Sequence, residues 1–579
     1  MSSDLEESPL VDDGLPQFES SSVSSSIAYY RSSILKLFLA PGLGGFLFGY
    51  DIGGTSYVIL RLQQLSQGLP LSLQDNPLKT GWFVAAPSAG ALLGTAAIVY
   101  LDNPSKDSST TTSNPQSFFE QNLLSQPIGR RTELFCAGLL YLCGGFLQFE
   151  SPLLFQNWAF AFVIVGRWIY GAGIGFAMHG GPTYLAETTP PSIRGMVVGA
   201  KEIAIVLGIL SGYAMGDKLC QNNSSSINGE DASDENHQWT YVYGATCIIA
   251  LAMIAGSRII PESPRYLVAT NTRLLLGDTV NDDTTQEQRD ELSAQVLESL
   301  RFVWKPLAAQ EEHTNLLEAQ KNQTQEASAS SSSDSSKPSL RSLLWDPKFR
   351  PALTAGLGLV LLQQITGQPS VLSYATPILA KVPGMSSSAS VLLAIFKVLA
   401  TSISVGLVEG YGRKTLLLVG CSMMLGALVV LVFAFQENST TSQQEEEDHH
   451  EASATAGTLD AKSLGALIGL FSYIAGYQIG FGPISWLMIS EVFPQSVRGT
   501  AVALAVQLNF AGNAIVQLAV PILEQQLGMS KTFLLFGGLT AYSLHFVQQH
   551  VPETKGLSLE EIEAVLAKRV EDEERVQLL

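Results

Sequence analysis

The sequence predicts an all-α integral membrane protein of twelve transmembrane helices in two parallel six-helix repeats. Three observations carry that expectation. Charge is segregated from apolar sequence instead of being interleaved with it. Twelve apolar stretches are long enough to cross a bilayer. The second half of the chain repeats motifs of the first, in the same order.

Charged residues make up 15% of the 579, against about 25% in an ordinary soluble chain. The acids crowd the N-terminal tail, residues 277–312 and the run Glu445, Glu446, Glu447, Asp448, while long blocks between them are almost free of charge. An amphipathic soluble helix would alternate the two; a bilayer forces them apart. The net charge of −19 argues against nucleic acid as a partner, since that surface needs clustered cations. Five cysteines with no CxxC predict neither a disulfide framework nor a metal site. No phosphate loop and no nucleophile elbow occurs, so no enzyme activity and no cofactor are expected.

In chain order, residues 1–34 read as a Ser-rich, acidic, disordered cytosolic tail. It resembles neither a signal peptide nor an Arg-rich transit peptide, and Glu6 to Val11 loosely resembles an acidic dileucine sorting signal. Residues 35–260 form a first six-helix half, with spans at 35–58, 80–101, 132–150, 158–180, 195–216 and 240–260. Residues 261–348 form a polar cytosolic linker with short helices. Residues 349–551 form the second half, with spans at 351–380, 389–408, 415–435, 462–490, 497–524 and 531–551; residues 552–579 are a cytosolic tail with a short helix. Each span supplies the ~20 helical residues that a ~30 Å hydrocarbon layer requires. Gly45, Gly49 and Gly53 recur every four residues, as do Arg167, Gly171 and Gly175, a spacing that lets helices approach closely in lipid. Lys and Arg crowd the span ends that share a side with the two termini, which places both termini in the cytosol. The sequons at Asn222 and Asn438 then face the lumen or exterior, and the one at Asn322 the cytosol.

The repeat is explicit. Glu187, Pro190, Ser192, Arg194 and Gly195 recur as Glu491, Pro494, Ser496, Arg498 and Gly499 at one offset of 304. Gly129-Arg130-Arg131 recurs as Gly412-Arg413-Lys414, and Pro261-Glu262 as Pro552-Glu553, each of the latter following the sixth span of its half. Two parallel six-helix repeats are a transporter design with the substrate between them near mid-membrane.

Asp51 falls inside the first span. A carboxylate at that depth costs ~2.5–3.5 kcal/mol on insertion scales and needs a partner or a proton. Arg167, on the fourth span, is the natural partner, either as a permanent tie between helices or as a pair that protonation of Asp51 releases. An amide side chain both donates and accepts hydrogen bonds, which matches hydroxyl groups. Gln363, Gln364 and Gln368 cluster on the seventh span, Asn509 and Asn513 share a face of the eleventh, and Trp486 offers a flat ring with an N–H. The alternative reading of these amides is helix–helix hydrogen bonding, worth ~0.6 kcal/mol each.

The stretches FGYDIGGTS (48–56), GRWIYGAGIG (166–175), YLAETTPPSIRG (184–195), PESPR (261–265), QQITGQ (363–368), GFGPISWLMISEVFP (480–494) and VPETKGLSLEEIE (551–563), in this order, resemble the sugar porters of the major facilitator superfamily. AKEIAIVLGIL and QQITGQPSVLSYA further resemble the plant-type branch of vacuolar glucose and proton–xylose-like transporters. The resemblance implies the major facilitator fold and alternating access to a monosaccharide. It implies proton coupling through Asp51 and Arg167, and sugar contacts at Gln363, Gln364, Trp486 and Asn509. It also implies a cytosolic gate of interlocking charges among Arg130, Arg131, Glu187, Arg194, Arg413, Lys414, Glu491 and Arg498.

Three positions depart from the family pattern. Lys201-Glu202 replaces a usual Asn-Gln, which puts Glu202 where a sugar-binding amide is expected. Gln368 stands after Gly367 in place of an Asn, and Lys397 replaces a frequent amide. Glu202 therefore binds sugar hydroxyls, titrates, or pairs with Lys397 across the cavity. Before Gly129-Arg130-Arg131 the usual acid is missing; Gln126 stands there, with Asp102 a displaced counterpart beyond the insert 103–126, while Glu409 is intact in the second half. His179 reads as a helix-end residue, and His449 and His450 as solvated.

The function expected is proton-coupled symport of a hexose or pentose. The alternatives are a facilitative hexose uniporter, which Asp51 disfavours, and a sugar-sensing receptor, which the short C-terminal tail disfavours. The expected partners are a sugar, protons and the bilayer. The chain is expected to be monomeric, in the plasma or vacuolar membrane.

Overall fold

The computed structural model describes residues 29–64, 71–74, 76–102, 128–154, 156–190, 192–221, 238–271, 283–330, 345–382, 388–436, 461–493, 498–557 and, beyond these, 561, 562, 564–566 and 568. The acidic tail, the insert 103–126, the sequons at Asn222 and Asn438, and His449 and His450 lie outside the described residues, as do the side chains of Asp102, Glu409 and Arg498.

Six long helices build the first half: α1 (Arg31–Gln63), α2 (Pro77–Asp102), α3 (Arg130–Leu154), α4 (Ala159–Thr188), α5 (Arg194–Gln221) and α6 (Thr240–Ile259). Among the described residues, three helices follow in the linker: α7 (Pro264–Thr270), α8 (Asp283–Val303) and α9 (Pro306–Ser330). The second half comprises α10 (Arg350–Ile365), α11 (Gln368–Ser373), α12 (Ala375–Ala380), α13 (Ala389–Tyr411), α14 (Arg413–Ala434), α15 (Ala461–Ile479), α16 (Phe481–Val492), α17 (Arg498–Leu527) and α18 (Met529–His550).

Ten candidate spans among the described residues have the length and hydropathy to cross a membrane, α15 and α16 forming one of them. The seventh span is broken into α10, α11 and α12, and α18 carries Gln548, Gln549 and His550 at its end; neither is among the ten. With these two included, the chain has the twelve-helix fold expected from its sequence. The end at which α1 begins and α18 finishes is called basal here, and the opposite end distal.

Glycine explains how α1 meets α5. A Cβ on Gly49 would stand 1.9 Å from the Ile205 carbonyl oxygen, and one on Gly53 2.2 Å from that of Ile209. Gly208 and Gly212 return the approach onto the carbonyls of Phe46 and Tyr50. The four-residue glycine spacing thus buries backbone on backbone, which is how helices gain contact where lipid removes the hydrophobic drive.

The break in the seventh span was not expected from its apolar run. Gly367 takes φ +96°, a left-handed conformation that ends α10 and starts α11. Backbone groups freed inside a bilayer must find partners. Here tyrosine and serine hydroxyls supply them. Tyr473 donates to the Thr366 carbonyl at 2.9 Å, Tyr213 to that of Leu372 at 2.5 Å, and the Thr376 N–H donates to Ser56 Oγ at 3.0 Å. Tyr213 and Ser56 belong to the first half, so the broken span is also a seam between the halves.

Further seam bonds sit beside it. Ser388 donates to Asp217 at 3.1 Å near the distal ends of α5 and α13, and Ser88 of α2 donates to Asn513 of α17 at 2.7 Å.

The linker helices are longer than expected: α8 and α9 run 21 and 25 residues. With α7 they close a small core of Val268, Leu292, Val296, Leu300 and Ala309. Trp304 packs on this core and on that of the first half, while the Tyr30 N–H donates to the Val303 carbonyl at 2.8 Å. The linker is thereby docked to the base of the first half.

Candidate functional site

Asp51 lies midway along α1, buried at 6% exposure, and faces Arg167 of α4, itself 1% exposed. Arg167 Nη1 reaches Asp51 Oδ1 at 3.2 Å and Nη2 reaches Oδ2 at 3.4 Å, a two-pronged contact. Thr55, one turn along α1, donates to Oδ1 at 3.3 Å. The guanidinium spends its remaining donors on the Phe83 carbonyl (2.5 Å), Gln148 Oε1 (3.3 Å) and the Tyr243 hydroxyl (2.9 Å), and stacks 4.6 Å from the Phe83 ring centroid. Four helices, α1, α2, α3 and α6, thus hold one arginine of α4. Removing charge from either member would leave the other buried without compensation.

The pair does not face lipid. It lines a cavity with Thr55, Pro87 and Ser88 on the side of the first half and with Ser373 and Gln517 on that of the second. A change of charge at Asp51 is therefore felt at the seam.

The expected sugar residues are divided. Gln363, 3% exposed, donates from Nε2 to the Tyr477 hydroxyl at 3.0 Å and to the Phe481 carbonyl at 3.1 Å, and its Oε1 is buried with no hydrogen-bond partner. Gln364 accepts from Asn513 at 3.1 Å, and Asn513 accepts from Ser88, so one amide chain crosses from the second half to the first. Gln368 and Asn509 are buried, with no hydrogen bond from their side chains to another described residue. Trp486 sits on α16 at 36% exposure. Glu202 stands 3.7 Å from Lys201, and Lys397 donates to Gln478 Oε1 at 2.8 Å; the two are not in direct contact.

The basal charges pair within halves. Arg130 approaches Glu187 at 3.6 Å and Arg413 donates to Glu491 at 2.9 Å. The duplicated Pro-Glu motif, which the sequence had shown only as a repeat marker, completes each cluster. Glu262 accepts the Arg131 and Ser263 N–H groups at 3.0 Å each, while Glu553 accepts those of Arg413 and Lys414 at 2.9 and 3.1 Å. Each acid caps the start of a helix from a distant segment. Burial pushes the Glu262 carboxyl above its ordinary pKa. Ser263 Oγ donates to Glu187 at 2.5 Å, and Thr554 Oγ1 to Glu491 at 2.6 Å, so the two clusters match group for group. Arg131 spends its side chain on the Ser257 and Arg258 carbonyls, and Lys414 on that of Gln548. Arg194 Nε is buried without a hydrogen-bond partner.

His179 departs from its expected place. It lies within α4, well before Thr188, and its Nδ1 is 2.6 Å from Glu133 Oε1, a carboxylate 1% exposed that also meets Arg130 at 3.5 Å. Glu133, Gln148 and Tyr243 were missed at the sequence level. A Glu and a Gln inside the third apolar span were the available signal, and Tyr243 had none.

A family model described as "Sugar (and other) transporter" matches residues 119–566. The D-xylose-proton symporter-like 3, chloroplastic, of Arabidopsis thaliana is 37% identical over 542 residues, covering 93% of this chain and 83% of the relative. The D-xylose transporter of Levilactobacillus brevis is 30% identical over 535 residues, covering 92% and 95%. Among solved structures, the partially occluded inward-open conformation of the xylose transporter XylE from E. coli is similar with a TM-score of 0.64 at 21% identity. That likeness covers 91% of this chain and 100% of the other. The match over most of the chain, together with the two six-helix halves, establishes that this protein belongs to the sugar transporter family, in the major facilitator fold.

Proposed function

We propose that the protein carries a monosaccharide of the glucose or xylose type across a membrane together with protons, by alternating access. The observation that carries this reading is the Asp51–Arg167 pair, enclosed in the first half and open to a cavity that the second half helps to line. Ionised Asp51 holds the guanidinium; protonation removes the charge, loosens the pair and shifts the balance between states facing opposite sides. The names of the relatives, a proton symporter-like protein and a xylose transporter, support the same chemistry.

Gln363, with its idle Oε1, is the first sugar contact, beside Gln364, Gln368, Asn509, Trp486 and Glu202. An ionised Glu202 accepts from two neighbouring hydroxyls but cannot donate, which favours a sugar presenting adjacent donors. With both termini in the cytosol, the seam bonds at Tyr213, Ser56 and Asp217 lie toward the exterior, and the structure faces inward. Arg130–Glu187 and Arg413–Glu491, each within its own half here, are the charges that interlock with Arg194 and Arg498 when the cytosolic side closes. The chain works as a monomer in the plasma or vacuolar membrane.

The test is uptake of labelled glucose, xylose, fructose and inositol into transporter-null cells at two pH values. Faster uptake of one sugar at the lower pH supports symport. Uptake of a sugar at equal rates at both pH values identifies a uniporter instead.

A further inference from the structure

Lys397 is a full charge buried at 4% exposure in the middle of α13, and no described carboxylate is in ion-pair contact with it. Its ammonium donates to Gln478 Oε1 and lies 5.7 Å from the Tyr477 ring centroid. Gln478 in turn donates to Thr401, and Tyr477 holds Gln363. These are neutral partners. An uncompensated ammonium within a bilayer is costly, and such residues mark pathways or pair with an opposite charge.

The opposite charge stands on the other half. Glu202, on α5, is 35% exposed on its side chain, meets Lys201 at 3.7 Å, and is near enough for its charge to act on both Lys397 and Tyr477. Helices α5 and α13 pack against each other and are pinned distally by Asp217 and Ser388. From that pin Glu202 lies about 23 Å down α5 and Lys397 about 14 Å down α13, at about 1.5 Å per residue. The offset of about 9 Å is spanned by two extended side chains once the helices draw together.

We infer that Glu202 and Lys397 form a charge couple across the seam, open in this structure and closed when the basal ends of α5 and α13 meet, with Lys397 as the positioning residue for the Glu202 carboxylate. The inference rests on the alternating-access reading. Lys201 holds the carboxylate when the couple is open, and Gln478 and Tyr477 hold the ammonium. Closure exchanges these neutral or neighbouring partners for a direct pair on the wall of the sugar cavity.

A double-mutant cycle in reconstituted protein tests this by counterflow of labelled xylose and glucose, which needs sugar binding and alternating access but no proton gradient. Glu202→Gln and Lys397→Gln each slow exchange about tenfold, and the double variant stays within about threefold of either single one rather than losing about a hundredfold. Lys397→Arg, which keeps the charge, retains most of the exchange. In a Glu202→Cys, Lys397→Cys variant, a short bis-methanethiosulfonate, which forms a disulfide with each thiol and releases methanesulfinate, joins the two cysteines, as mapped by mass spectrometry. Losses that multiply, or absence of the cross-link, overturn the couple. Counterflow without pH dependence in the unaltered protein would fail the proton-coupling reading alone. If neither sugar exchanges in the unaltered protein, the choice of sugar fails and the cross-link decides the couple by itself.

Discussion

Asp51 and Arg167 meet through both carboxylate oxygens, at 3.2 and 3.4 Å, with neither residue more than 6% exposed. The arginine is held by a carbonyl, an amide and a phenol besides the acid. Its position therefore does not depend on the carboxylate alone. Protonating Asp51 would alter the charge balance while leaving the guanidinium anchored, which suits the proton-carrying role proposed for it.

Arg167→Lys keeps the charge but loses the planar fork. It cannot meet Asp51, the Phe83 carbonyl, Gln148 and Tyr243 together. Uptake falls by about tenfold or more, and the purified protein melts earlier by an equivalent of about 1–3 kcal/mol. Arg167→Leu costs more, about 3–5 kcal/mol, because Asp51 is left buried and unpaired. Adding Asp51→Asn recovers part of that loss. Thermal melts in detergent measure each step, and an unchanged melting point would deny the pair its role in the fold.

Gly49→Ala forces a methyl group to within 1.9 Å of the Ile205 carbonyl oxygen, and a backbone atom cannot yield as a flexible side chain does. The expected outcome is loss of folded protein on size-exclusion chromatography. Gly199, farther down the same α5, has nothing within 4 Å of an added Cβ. Gly199→Ala is tolerated, with a gain of up to about 1 kcal/mol in helix propensity.

Buried Glu133 and half-buried His179 form a pair without a counterpart in the second half, where Leu416 stands at the position matching Glu133. Glu133→Leu leaves His179 and one arm of Arg130 without their acceptor, at a cost of about 3 kcal/mol. Removing the imidazole as well, with His179→Leu, returns part of this. Melting curves of the two singles and the double decide it; additive losses would show that the two side chains act independently.

Gln363→Leu removes the idle Oε1 and leaves the Tyr477 hydroxyl without its donor. Sugar affinity weakens by about tenfold, seen as a raised KM, with kcat moving less. A purely structural glutamine would lower the melting point and leave KM where it was.

Much of this was legible in the chain. The apolar runs, the glycine spacing at 45, 49 and 53, and the lone carboxylate at 51 each report a constraint the bilayer imposes on composition. Arg167 was legible as its partner because few other charges lie inside the first-half spans. The break at Gly367 was not, because Gly and Pro also occur inside unbroken spans, as Pro87 and Pro182 do, and its cost is met by hydroxyls from distant helices that carry no local signal. The capping role of Glu262 and Glu553 was hidden for a similar reason. The repeat marked both residues, but their partners, the N–H groups at the starts of α3 and α14, are supplied by tertiary contact. The linker helices exceeded expectation because their polar sequence has only a thin apolar stripe, and Trp304 makes that stripe worth burying.

The most direct test of the central claim is sugar-driven proton movement in vesicles containing a pH-sensitive dye, compared between the unaltered protein and Asp51→Asn at a clamped membrane potential. Proton flux on adding sugar to the unaltered protein, lost in Asp51→Asn while sugar counterflow persists, is the result expected. Equal proton flux in both proteins, or sugar entry without proton flux in the unaltered one, would contradict the role given to this carboxylate.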